Sequence, residues 1–297
     1  MLKNCAKRKL LITGFAFLIF LITLSIPKNE ERIKNIDVTY LQGIPRPIYV
    51  ANKDEYISRI TLAFKSSDPL ELVRETISFL TIGSEKNAYL PNNFYAVIPR
   101  DTKILNMDLQ DETLKIDFSK DLLNTNNTKK MIEAIIYSLT EITGIKKVII
   151  YIDGKLLNET INSTLPSTLT RDIGINTLYD IDSLKNISKT TVYYSATDND
   201  LNYYVPVTLL SNDNKDKLEV IIERLKSRPF VKTNLMSYLN TTAVLNNYEY
   251  KGDKLLLSFN ESLYQGLLND ELKEIVNYSL VLSIKDSLDV SEVIIKE

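Results

Sequence analysis

The sequence predicts an α+β protein: two tandem repeats of a small unit, each with two helices packed on one face of a mixed β-sheet, after an N-terminal transmembrane helix. Three observations carry this expectation. A shift of the chain by 141 residues lays LKIDFSKDLL (114–123) over LLLSFNESLY (255–264). Apolar residues alternate with period two in both segments, as in a strand with one buried face. Residues 10–26, LLITGFAFLIFLITLSI, carry no charge at all.

The apolar run comes first along the chain. It follows Lys3, Lys7, Arg8 and Lys9, a flank that stays cytoplasmic by the positive-inside rule and sends residue 28 onward outside. Thr23 and Ser25 form a poor cleavage site before Ile26, so an uncleaved anchor is favoured over a signal peptide. Lipidation is disfavoured, because Cys5 lies ahead of the apolar run. The expected organisation is a basic tail and anchor (1–27), a charged tether KNEERIKN (28–35), a first domain (36–155), an ordered connector (156–188) and a second domain (189–297).

Within each unit the expected order is strand, strand, helix, hairpin, helix, strand. PIYV (47–50) and TVYYS (191–195) open the two copies. Asp68 followed by Pro69 starts a helix running to about Gly83, with Leu70, Val73, Ile77 and Leu80 inward. Its counterpart follows Asn214 and presents Leu218, Ile221, Ile222 and Leu225. In the hairpins Ile104, Met107, Leu109, Leu114, Ile116 and Phe118 match Leu245, Tyr248, Tyr250, Leu255, Leu257 and Phe259. Asp111 with Glu112, and Gly252 with Asp253, mark the turns. Later helices begin near Thr128 (Ile132, Ile135, Ile136, Leu139) and Asn269 (Leu272, Ile275, Val276, Leu280), and KKVIIYID (146–153) and SEVIIKE (291–297) close the units.

Composition narrows the chemistry. The chain has no histidine, which removes histidine acid–base catalysis, the histidine-dependent nucleophile systems and the commonest transition-metal ligand. Its only cysteine is Cys5, so no disulfide or zinc–thiolate site is expected. A formal net charge of −2 gives no footprint for nucleic acid.

The run IPRDTKILNMDLQDETLKIDFSKDLL (98–123) resembles the GerM domain family of sporulation and germination proteins. The matching pieces are Ile98, Pro99 and Thr102, then Ile116 to Ser119, the helix from Thr128, and the turn at Asp153 and Gly154. The tandem arrangement and the connector's INTLYDI are similar as well. The resemblance implies small domains like ring-building motifs, placed outside the membrane and working by protein contact without chemistry of their own. Characteristic members carry a lipid-attachment cysteine that this chain lacks.

Candidate chemistry is thin. Asp117 and Asp121 suggest a carboxylate pair, but Ser258 and Ser262 replace them in the second copy, so a carboxylate-dependent hydrolase is the least favoured reading. Asp198 and Asp200 have calcium-loop spacing without the loop's glycine or distal glutamate. No serine beyond the anchor has lysine three residues later, so Ser-x-x-Lys catalysis is absent. Asn158 and Asn162 begin glycosylation triplets of the kind an asparagine-rich chain produces by chance. Tyr193, Tyr194, Tyr203, Tyr204, Tyr248 and Tyr250 suggest half-buried strands or an aromatic contact patch. No catalytic, cofactor or metal residue is assigned. The expected partners are the cell membrane through residues 10–26, envelope proteins, or peptidoglycan.

Overall fold

The computed structural model describes residues 43–199, 201–212, 215–227 and 234–296. The anchor, the tether, Asn214 and Asp200 lie outside the described residues. Among the described residues no helix is long and apolar enough to cross a membrane.

Each copy opens with an antiparallel hairpin. In the first copy β1 (Ile44–Asn52) pairs with β2 (Ile57–Phe64), and in the second β9 (Ser188–Asp198) pairs with β10 (Leu201–Ser211). A one-sheet unit was the expectation, but the strands of each copy divide between two sheets. The opening hairpins merge, with β2 and β10 meeting antiparallel at Arg59 and Tyr204, into a six-stranded sheet completed by β3 (Phe94–Tyr95) and the connector's β8 (Leu178–Asp180). The later strands form two smaller sheets, β4–β5–β6–β7 (Ile104–Gln110, Thr113–Phe118, Lys147–Ile152, Lys155–Leu156) and β11–β12–β13 (Leu245–Lys251, Lys254–Phe259, Glu292–Lys296). The reason is local. Consecutive residues 48–50 of β1, 190–196 of β9 and 205–209 of β10 are all buried, so these strands are covered on both faces.

Helix α1 (Pro69–Leu80) starts where its signals place it: the Asp68 carboxylate accepts from the amides of Leu70 and Glu71, each at 3.0 Å, with proline in the first turn. It ends at Leu80 instead of near Gly83, because Thr81 is already extended and bridges to Ile98. Asn127 caps α2 (Thr128–Leu139), Asp216 caps α3 (Lys217–Lys226) and Asn269 caps α4 (Asp270–Ser287). The later helices are unequal, 12 residues against 18. Val73, Ile77, Leu80, Ile132, Ile135, Leu218, Ile221, Leu225, Val276 and Leu280 all enter one hydrophobic core that runs through both copies. Leu70 and Leu272 are only half-buried.

Two serine-bearing helices protect the outer strands of the merged sheet. Ser138 of α2 accepts from the Tyr49 amide at 2.9 Å; Ser283 and Ser287 of α4 accept from the amides of Tyr193 and Thr191 at 2.8 and 2.9 Å. These hydroxyls satisfy ladder groups that an edge strand otherwise leaves open. Among the described residues, strands β4 and β11 at the ends of their sheets receive no such helix hydroxyl.

Both small sheets carry a bulge at the same place, between Ile104 and Asn106 and between Leu245 and Asn247. The three-residue step from Ile104 to Met107, and from Leu245 to Tyr248, is its trace in the sequence, since an extra residue postpones the inward face by one. The β4–β5 loop has two residues, Asp111 and Glu112, both at positive φ (47° and 59°), the geometry of the type I′ hairpin turn. A side chain is unfavourable there. Glu112→Gly should therefore stabilise the protein by about 1 kcal/mol, read as a rise in the thermal midpoint of about 2–4 °C.

Candidate functional site

The most unusual chemistry in the molecule is buried where the two copies meet. Tyr49 of β1 and Tyr193 of β9 occupy equivalent positions, and their hydroxyls lie 2.9 Å apart. Tyr49 donates to Glu141, just beyond α2, at 2.9 Å, while Tyr193 donates to Asp286 of α4 at 3.2 Å. Each copy thus supplies a strand tyrosine, a helix serine bonded to that tyrosine's amide, and an acid three residues after the serine.

One cation joins the two sets. Arg171 of the connector donates to Glu141 at 2.7 Å and to Asp286 at 3.1 Å, and also to Thr140 Oγ1 at 2.9 Å and the Tyr137 carbonyl at 3.2 Å. Its guanidinium stacks 5.0 Å from the Tyr137 ring and 5.6 Å from that of Tyr49. Position comes from a tight turn, Arg171–Ile173, capped by Thr170 and closed by Gly174 at φ +75°. A Cβ on Gly174 would meet Thr208 at 3.1 Å. Around this polar knot pack Ile57, Ala134, Tyr137 and Ile175.

Burial would raise the Glu141 carboxyl, but the guanidiniums of Arg171 and Arg59 and the bonds from Arg171 and Tyr49 more than offset it, and the group is held below the ordinary glutamate range. At Asp286 burial prevails over Arg171 and the carboxyl is raised. Burial likewise raises both tyrosines, with Glu141 adding to the effect at Tyr49 and Asp286 at Tyr193. The arrangement fixes two copies in one geometry; its tyrosine hydroxyls are tied to its acids, and the acids are committed to a cation.

These residues carry a sequence signal that the 141-residue shift hides. At a shift of 145, Ser138-x-x-Glu141 lies over Ser283-x-x-Asp286, and at 144 Tyr49 lies over Tyr193. The longer α4 accounts for the change of shift at the helices.

The candidate carboxylates stand apart from the junction. Asp117 lies on β5 facing away from buried Ile116 and Phe118, and accepts from the Gly154 amide at 3.1 Å. Asp121 accepts from the Ser119 hydroxyl at 2.9 Å. Asp198 is taken by Lys53 and by the Asn93 amide. Asn158 is half-buried, and its side-chain amide donates to the Leu165 carbonyl at 3.2 Å. Among the tyrosines, Tyr193, Tyr194 and Tyr203 are buried and Tyr204 leans on Tyr278. Only Tyr248 and Tyr250 of that set remain exposed, edge to face on β11. Tyr248 lines a groove of about 390 Å³ together with Leu218, Ile222 and Leu245 and the charged Glu219, Glu223 and Lys226.

Residues 47–158 match the family model described as Germane, sporulation and spore germination. The chain is 29% identical over 265 residues to the spore germination protein GerM of Bacillus subtilis, covering 85% of this chain and 71% of that protein. It is also similar to the solved tandem GerMN domains of the sporulation protein GerM from Bacillus subtilis. That match has a TM-score of 0.75 and 29% identity, over 85% of this chain and 90% of the other.

Arg171→Met leaves buried Asp286 without its cation and partly buried Glu141 with Arg59 alone, at 3.7 Å, and should cost about 3 kcal/mol of stability, measured by denaturant unfolding. The acids should show opposite pH trends. Glu141, held low, contributes stability that is complete above its ordinary value of 4.5 and is lost as pH falls through its folded value. Asp286, held above 3.8, loses stability as pH rises through its raised value. On acidification toward pH 4, the cost of Glu141→Gln should shrink and that of Asp286→Asn should grow.

Proposed function

We propose, from the premise that this chain belongs to the GerM domain family with two such domains in tandem, that it serves spore formation or germination as a non-enzymatic contact module of the cell envelope. Residues 10–26 hold it in the membrane, and the body from residue 28 onward works outside the cytoplasm. The observation that carries the reading is the contrast between covered and open edges. Serines of α2 and α4 cover β1 and β9, and Arg171 fixes the two copies together, while among the described residues no strand pairs with the outer edges of β4 and β11, which suits strand addition by another chain. Anchoring at a membrane raises the effective concentration of such weak edge contacts.

The hydrolase alternative finds little support in the geometry. Asp117 is tied to a turn amide and Asp121 to its own neighbouring serine, the behaviour of turn carboxylates.

Topology and role are tested together in intact cells. Cys5 is the only cysteine and should resist a membrane-impermeant maleimide. Leu184→Cys, at a site 87% exposed, should label. Labelling of Cys5, or protection of Leu184→Cys, would sink the anchor assignment. Deletion of the protein should lower the yield of heat-resistant or germinating spores, and Asp121→Asn should restore that yield fully. A null phenotype for Asp121→Asn in a folded protein would favour the hydrolase instead.

A further inference from the structure

The outward face of the sheet β4–β5–β6–β7 carries a built feature that neither the junction nor the edge contacts use. Asn106 lies across from Asp117, Asp117 beside Tyr151, and Asp108 across from Lys115, so these side chains share one face. Together with Gly154 they line a concavity of about 320 Å³.

A merely solvated sheet face normally pairs opposite charges across its strands. Here Asp108 and Lys115 stand directly opposite, yet among the described residues neither side chain has a hydrogen-bonded or ion-paired partner. Asp117 is oriented by the Gly154 amide through one oxygen, which leaves the other without a donor. Two carboxylates (Asp108, Asp117), the Asn106 amide, whose oxygen already accepts from the Met107 N–H at 2.9 Å, one ammonium donor and one aromatic ring therefore line an open space.

The lining selects the ligand class by elimination. Ile116 is fully buried, so no aliphatic side chain is offered to a lipid or an apolar peptide, and the aromatic surface is that of Tyr151. An anion would meet two carboxylates, and a simple cation would meet Lys115. Among the described residues no cluster of three or more metal-ligating side chains exists. A neutral polyol suits what remains, because each hydroxyl both donates and accepts, and the C–H face of a pyranose can lie on a tyrosine ring. The volume is at the small end for ligand sites, about one to two sugar rings. We propose that this groove is a saccharide-binding site that takes a neutral pyranose chain. It is independent of the edge-contact role.

The test is calorimetric titration of the full-length protein in detergent with tetra-N-acetylchitotetraose and, separately, with cellotetraose. Saturable binding, with a Kd of order 0.1–1 mM, is expected for at least one of them. Binding of the first alone identifies an amino-sugar reader; binding of both identifies a general β-glucan-type site. Tyr151→Ala, and Asp108→Asn combined with Asp117→Asn, should each weaken binding at least tenfold, whereas Tyr95→Ala, an exposed tyrosine outside the groove, should leave it unchanged. No saturable heat with either sugar up to about 10 mM, or an unaltered isotherm in the variants, overturns the site. Should Tyr151→Ala fail to fold by circular dichroism, the aspartate pair decides the matter, since neither of its side chains is in the core.

Discussion

Two carboxylates from different halves of the chain, partly buried Glu141 and buried Asp286, converge on Arg171, the cation that makes this tolerable. Desolvating a carboxylate costs several kcal/mol unless a counter-charge and hydrogen bonds replace water. The connector must therefore deliver its arginine to one point, and everything near that point is arranged around the delivery. The turn at Arg171–Ile173, the left-handed Gly174 and the two tyrosine hydroxyls all follow from it. Because one guanidinium serves both acids, the halves are tied in a single arrangement, unlike beads on a tether.

The same economy of polar groups explains which edges are closed. Serines on α2 and α4 sit at helix positions that would otherwise favour apolar residues, and they face strand amides of β1 and β9. Ser283 is wholly buried for this reason. Among the described residues no comparable hydroxyls reach β4 or β11, and exposed Tyr248 of β11 lines a groove of mixed polarity. The proposed strand addition and the proposed saccharide recognition on the β4–β7 face would use different parts of the same sheet, so they need not compete.

The residues reveal some of this and conceal the rest. Period-two alternation in 114–118 and 255–259, the cap pairs Asp68–Pro69 and Asn269, and the repeated order of elements are all readable, because they depend on neighbours within a few positions. The bulges are readable too, in the step from Ile104 to Met107. What misleads is the assumption that consecutive strands share one sheet. Alternation says which side of a strand is buried, not which strand lies beside it.

By itself, then, the sequence determined the elements, their duplication, the apolar leader and the absence of histidine chemistry, since each of these is a property of composition or of local periodicity. Only the tertiary structure decided that the opening hairpins fuse at Arg59 and Tyr204, that Tyr49 meets Tyr193 across 144 residues, and that Arg171 stands between two acids. Those are long-range pairings between polar residues, and a polar residue in a sequence carries no mark of whether it will find water or a partner.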